Sequence, residues 1–220
     1  MSTQDDTTRT RILQAAEALF AESGFARTSL RAITARAEVN LAAVNYHFGS
    51  KEALIQEIFR RRLEPINAER LERLGRLQAA AQAPGVEQLL EAYLAPTLKS
   101  EAEASPGEVR FMRLLGRTEL GASKPLRGFV HSLYADVLDR FAMALSRALP
   151  QIPRRELYWR LHFASGSVAY SLAAADTLSL FSECPGDAFR DPGRDLLRRL
   201  IPFLAAGLRA PLPDAAGQTP

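Results

Sequence analysis

Apolar positions along this chain recur at helical spacing, and no segment sustains an alternation of period two, so the pattern predicts an all-α protein. Ile12, Leu13, Ala16, Leu19 and Phe20 form the stripe of a first helix over about 7–23. Gly24 suits its end, with Phe20 and Phe25 as the apolar pair of a Schellman stop. Thr28 or Ser29 caps a short second helix anchored by Leu30, Ile33 and Ala37. A third starts at Asn40, is anchored by Leu41, Val44 and Phe48, and ends at Gly49. Ser50 caps a fourth that carries Leu54, Ile55, Ile58, Phe59 and Leu63. Pro65 falls inside this pattern. A proline there removes a backbone bond and clashes with the preceding turn, so a kink or break and a domain junction are expected at about 60–70.

Five longer helices follow, over about 86–100, 108–120, 125–149, 153–180 and 193–210, for about nine in total. EAEASPG (101–107) and SECPGDAFRDPG (182–193) read as loops. The organisation expected is an N-terminal three-helix bundle over 1–60, a larger helical domain over 61–210 and a disordered tail over 211–220.

Composition narrows the class. The 47% apolar content of 220 residues suits a globular core. The formal net charge of +3 is spread evenly: residues 1–62 hold 9 Lys+Arg against 7 Asp+Glu. A nucleic-acid contact would therefore be local and structured, without a basic tail. Cys184, the single cysteine, excludes an intrachain disulfide framework and a multi-cysteine zinc site. No signal peptide and no membrane span of roughly 20 apolar residues is apparent. The expectation is a protein of the reducing cytoplasm, without membrane contact, metal or cofactor.

Residues 24–52, GFARTSLRAITARAEVNLAAVNYHFGSKE, carry the chemistry. A helix-turn-helix needs an apolar inner face, supplied by Leu30, Ile33, Ala37, Val39, Leu41, Val44 and Phe48. Its outer face must let bases and phosphates approach. Asn40, Ala42, Ala43, Asn45, Tyr46 and His47 supply that face. Asn pairs with adenine edges and Ala packs on a thymine methyl. Tyr46 and His47 stand late on the helix as phosphate donors, although His47 also reads as a partly buried aromatic. Lys51 sits at a helix N-terminus, where backbone amides and a cation both favour phosphate; alone it would be a solvated charge. Thr28 and Arg31 are placed to touch the opposite strand.

These residues resemble the DNA-binding domain of the TetR family of transcriptional repressors. The resemblance rests on Gly24-Phe25, Thr28-Ser29, Leu30, Ile33, Tyr46-His47-Phe48 and Lys51-Glu52, and covers about residues 9–59. Two positions depart from it. Glu38 stands where the family usually has Gly in the turn, at a steric cost of roughly 1 kcal/mol if φ is positive there. Asn40 replaces the usual Ser or Thr cap and caps as well. The resemblance implies a homodimer that binds a palindromic operator in double-stranded DNA and releases it when a small hydrophobic effector binds.

In TetR-like proteins the region over 108–149 encloses that effector. Here it carries Phe111, Met112, Leu115, Phe129, Leu133, Tyr134 and Phe141, which also suit an ordinary bundle core. Arg113, with Arg110 and Arg117, lies on one stripe, a solvated face or an anion clamp at a pocket mouth. His162 and Phe163 are further ligand-binding candidates. Small residues after Trp159, from Ala164 to Ala175, and Phe203, Ala205, Ala206 and Gly207 suggest two helices of a dimer face, or tight packing within one chain.

NLAAVNYHFGSKEALI (40–55), FMRLLG (111–116), RLHFASGSVAYSL (160–172) and PFLAAGLRA (202–210) are similar to the fatty-acid-responsive PsrA-type subgroup. That implies a long-chain fatty acid or acyl-CoA effector; the alternative is a drug- or xenobiotic-responsive repressor of an efflux operon. An enzyme is not expected. His47, His131 and His162 have no carboxylate at metal-ligand spacing, and no phosphate-cradling glycine loop is present. An adaptor dimer without DNA binding is the remaining contrast.

Overall fold

A computed structural model describes residues 3–98, 105–121, 123–173 and 192–212. Nine helices and no strand occur among the described residues: α1 (Thr3–Ser23), α2 (Leu30–Ala37), α3 (Leu41–Phe48), α4 (Lys51–Ala79), α5 (Val86–Leu94), α6 (Pro106–Gly121), α7 (Lys124–Ala148), α8 (Arg154–Ala173) and α9 (Pro192–Arg209). The chain is all-α, as the periodicity predicts. Most of the loops expected at 101–107 and 182–193, the last turns of the helix expected to reach 180, Cys184 and nearly all of the tail lie outside the described residues; of those loops, Pro106–Gly107 and Pro192–Gly193 instead begin α6 and α9.

The short helices begin and end where local chemistry dictates. Ser29, Asn40 and Ser50 are extended residues whose side chains accept from the amides of Ala32, Ala43 and Ala53, so each satisfies a donor that the helix cannot. Gly24 (φ 79°) and Gly49 (φ 74°) turn the chain at the ends of α1 and α3. Phe20 and Phe25 meet with ring centroids 5.5 Å apart, the apolar pair of the predicted stop.

Pro65 does not break α4, which runs unbroken to Ala79. Proline withholds one hydrogen bond, but Leu63 and Asn67 on either side are buried, and packing against α5 and α7 holds both halves in register. The junction expected at 60–70 thus falls inside a helix. The first apolar core also crosses it: Ile12, Phe20, Ile33, Val44 and Phe59 share one cluster with Phe111, Leu114, Leu126 and Val130. A second cluster joins Leu74, Leu89, Val137, Phe141, Leu200 and Leu204 from α4, α5, α7 and α9. Between the two lies a buried polar layer of Asn67, Arg70 and Thr97.

Candidate nucleic-acid interface

Ile33, Ala37 and Val44 are buried, which locks α2 and α3 against α1 and α4. Glu38 forms the turn between them at φ 51°, ψ 50°. The left-handed conformation anticipated at this position is present, without the glycine that would adopt it freely. Arg11 holds the turn from α1, donating to the Glu38 carbonyl and carboxylate at 3.2 Å each.

With its inner side fixed, α3 turns Leu41, Ala42, Asn45 and Tyr46 outward, at i, i+1, i+4 and i+5. Tyr46 is 79% exposed, free to reach a neighbouring molecule. Leu41, expected as an inner anchor, is instead 44% exposed and joins this face. As the first helical residue it precedes the turn that packs inward. Ala43 is half-buried against the core, and Asn40 spends its side chain on the cap. Arg31 is exposed on α2.

Three expected DNA contacts are turned inward. Thr28 is 4% exposed and its hydroxyl donates to the carbonyls of Leu19 and Gly24, at 3.2 and 2.9 Å. It ties off the end of α1. The side chain of His47 is buried, with Nε2 3.5 Å from an Asp5 carboxylate oxygen. Its ring meets that of Tyr46 edge-on at 5.1 Å. Lys51 donates to the carbonyls of Phe25 and Thr28, both at 3.0 Å, and lies 4.3 Å from the centre of the Phe25 ring. Polarity identified these residues as functional, whereas the acceptors beside them, carbonyls at the end of α1 and in the link to α2 and the Asp5 carboxylate, make them staples.

The expected effector residues divide in the same way. Phe111 is fully buried and meets Phe59 of α4 edge-on at 5.5 Å. Met112, Leu115, Phe129, Leu133 and Tyr134 pack partly buried against the same cluster, so they form the joint between the reader and the larger domain. Phe141 belongs to the second cluster, against Tyr93. His162 and Phe163 face outward on α8, where Phe163 is 62% exposed, and so do not point into the chain. The Arg113 side chain lies outside the described residues. Arg117 of the same stripe donates to the carbonyl of Ala21 at 2.9 Å, which links α6 to the end of α1. Arg62 on α4 grips Glu17 of α1 with two nitrogens, the closest at 2.8 Å. Sequence alone could not find these links, because arginines on helices read as solvated charge.

Trp159, Phe163 and Tyr170 stand outward along α8, and Phe203 along α9. Trp159, Phe163 and Tyr170, at i, i+4 and i+11, share one stripe of α8, and Phe203 adds an exposed ring on α9, the two helices expected to form a pairing face. Ala169 and Ala205, expected on that face, are buried within the chain. Among the described residues no helix is long and apolar enough to cross a membrane.

Comparison with known proteins agrees with this geometry. Residues 12–58 match "Bacterial regulatory proteins, tetR family", and residues 91–207 match "Tetracyclin repressor-like, C-terminal domain". The chain is 47% identical over 58 residues to the HTH-type transcriptional regulator UidR of Escherichia coli K12, covering 26% of this chain and 30% of UidR. It is 57% identical over 44 residues to an HTH-type transcriptional repressor of Mycobacterium tuberculosis H37Rv, covering 20% of this chain and 23% of that protein. The chain thus spans less than a third of these relatives' lengths. Its fold is similar to that of the fatty acid degradation regulator FadR from Bacillus halodurans, with TM-score 0.64, 16% identity, and 93% and 97% of the two chains covered. It is also similar to the regulator PfmR from Thermus thermophilus, with TM-score 0.61, 18% identity, and 97% and 100% covered.

Proposed function

The chain belongs to the TetR family of transcriptional regulators, and on that premise we propose that it is a homodimeric repressor whose hold on a palindromic operator is released by a small hydrophobic effector. The observation that carries this reading is the outward stripe of Leu41, Ala42, Asn45 and Tyr46 on a helix whose other side is immobilised. Asn45 offers an amide to an adenine edge, Leu41 and Ala42 offer methyl groups to thymine, and Tyr46 reaches a phosphate or base. Arg31 adds a phosphate contact from α2.

Pairing follows from the apolar face of α8 and α9. Trp159, Phe163, Tyr170 and Phe203 on one chain meet their copies on a second, in a four-helix arrangement. Two recognition helices then address half-sites about one DNA turn, or roughly 34 Å, apart.

The effector is a long-chain fatty acid or an acyl-CoA, as the subgroup strings at 111–116 and 160–172 suggest. Its signal has a short route to the DNA. Phe111 packs on Phe59, and Arg117 holds the end of α1, so a shift of α6 moves the reader. Interfaces with such discrete contacts switch between arrangements more readily than they deform. Effector and operator must weaken each other's binding by one common factor. Fluorescence anisotropy of a labelled operator, titrated with palmitate and with palmitoyl-CoA, tests this. The expected result is release by at least one of them; equal operator affinity at saturation with both contradicts the effector assignment.

A further inference from the structure

Arg70 is a buried cation for which the described residues supply no counter-charge. It is 6% exposed. Its Nε donates to the Tyr93 carbonyl at 2.8 Å, one terminal nitrogen to Asn67 Oδ1 at 3.0 Å, and the other to Thr97 Oγ1 at 2.7 Å. The guanidinium stacks on the Tyr93 ring, 4.1 Å from its centre. All of these partners are neutral. The acids nearest in sequence are committed elsewhere, Glu69 to Arg73 and Glu72 to Arg76. Among the described residues none brings a carboxylate within ion-pair distance.

A guanidinium has five N–H donors, and three acceptors leave two of them over. Burying a charge unpaired is costly, and a residue whose task was to tie α4 to α5 could be a neutral glutamine. The site is also rigid. Asn67 Nδ2 donates to the Leu133 carbonyl of α7 at 2.8 Å, which fixes its oxygen toward Arg70. Arg70 thus stands at the meeting of α4, α5 and α7, between two apolar clusters.

We propose that Arg70, flanked by Asn67 and Thr97, is the point that recognises the carboxylate of a ligand with an apolar body. The carboxylate takes the two remaining donors as a charge-assisted pair, and the apolar body lies along the neighbouring clusters. This rests on the effector reading above and names the group that selects an acid over a neutral molecule of equal length.

The test is isothermal titration calorimetry of the full chain with dodecanoate and with 1-dodecanol. The wild type is expected to bind dodecanoate at least tenfold more tightly than the alcohol. Arg70→Gln removes the charge and is expected to erase that preference. Thr97→Asp keeps the acceptor for Arg70 but supplies an internal counter-ion, so the fold should hold and the preference should again be lost. A wild type without the preference, or a folded Thr97→Asp that retains it, overturns the proposal. Operator anisotropy on the same samples separates the two readings. If the preference is present and depends on Arg70 but dodecanoate leaves the operator bound, the site stands and the effector reading fails. If dodecanoate releases the operator equally from both variants, the effector reading stands and this site is overturned.

Discussion

The Lys51 ammonium donates to the carbonyl of Thr28 at 3.0 Å, across 23 residues, and fastens the start of α4 to the entry of α2. Its second bond goes to the Phe25 carbonyl. A cation at a helix N-terminus reads from sequence as a phosphate anchor, yet here it holds the link between α1 and α2. Lys51→Met is therefore expected to lower stability by about 1–3 kcal/mol, through two carbonyls left without donors. It should leave the salt dependence of DNA binding almost unchanged. Arg31→Ala should do the reverse, with stability nearly constant and the slope of log K against log salt reduced by about 1. Chemical denaturation together with salt-titrated anisotropy checks both.

Glu38 occupies φ 51° in the turn of the reader. Replacing it with glycine removes a steric cost of roughly 1 kcal/mol. Part of that gain is offset by the lost ion pair to Arg11, which is exposed and worth little. Glu38→Gly is expected to raise the unfolding midpoint slightly, and Glu38→Val, with a branched Cβ at positive φ, to lower it. Thermal unfolding of the two variants settles the order.

Much of this geometry is legible in the chain. Ser29, Asn40 and Ser50 cap as their types and positions predict, and Gly24 and Gly49 turn where expected. These features are local, with causes only three or four residues away. Thr28, His47 and Lys51 are different, because a polar side chain does not disclose which way it points. Thr28 turns back on Leu19 and Gly24 close by, while Asp5 for His47, and Phe25 and Thr28 for Lys51, are supplied by tertiary packing. Pro65 shows the same limit, since propensity favours a break and packing on both sides keeps the helix. Arg70 lies within ERLERLGRL, where arginine recurs every three or four residues and nothing distinguishes the buried one.

Phe163 and Phe203 are 62% and 66% exposed on the proposed pairing face. Phe163→Glu combined with Phe203→Glu places charges at the centre of an apolar interface, which should dissociate the dimer with little change in the fold of each chain. Sedimentation velocity should show monomers, and affinity for a two-half-site operator should fall by at least tenfold. A dimer that persists locates the interface elsewhere.

Two carboxyls make the fold acid-sensitive. Partial burial works to raise Glu57, but hydrogen bonds from Arg9 and Arg60 outweigh it and hold the carboxyl below the ordinary 4.5. The Arg209 hydrogen bonds bring Glu87 down to about 2 and tie α5 to α9. Both groups take up protons more readily in the unfolded chain. Their stabilisation is therefore complete above about pH 4.5 and is lost as pH falls toward 2. Both pairs lie near solvent, so the loss at Glu87 should stay under about 1 kcal/mol. Urea unfolding between pH 6 and 3 should show stability declining, with a shallower decline for Glu57→Gln.

In the proposed repressor α3 is one of a pair of readers, and sequencing the DNA fragments that the full chain retains from a random pool tests that most directly. The expected result is an inverted repeat with half-site centres about 10 base pairs, or a multiple of that, apart. Asn45→Ala and Tyr46→Ala should lose the enrichment while remaining folded dimers. Retained fragments without a repeat, or the same repeat recovered by both variants, would contradict it.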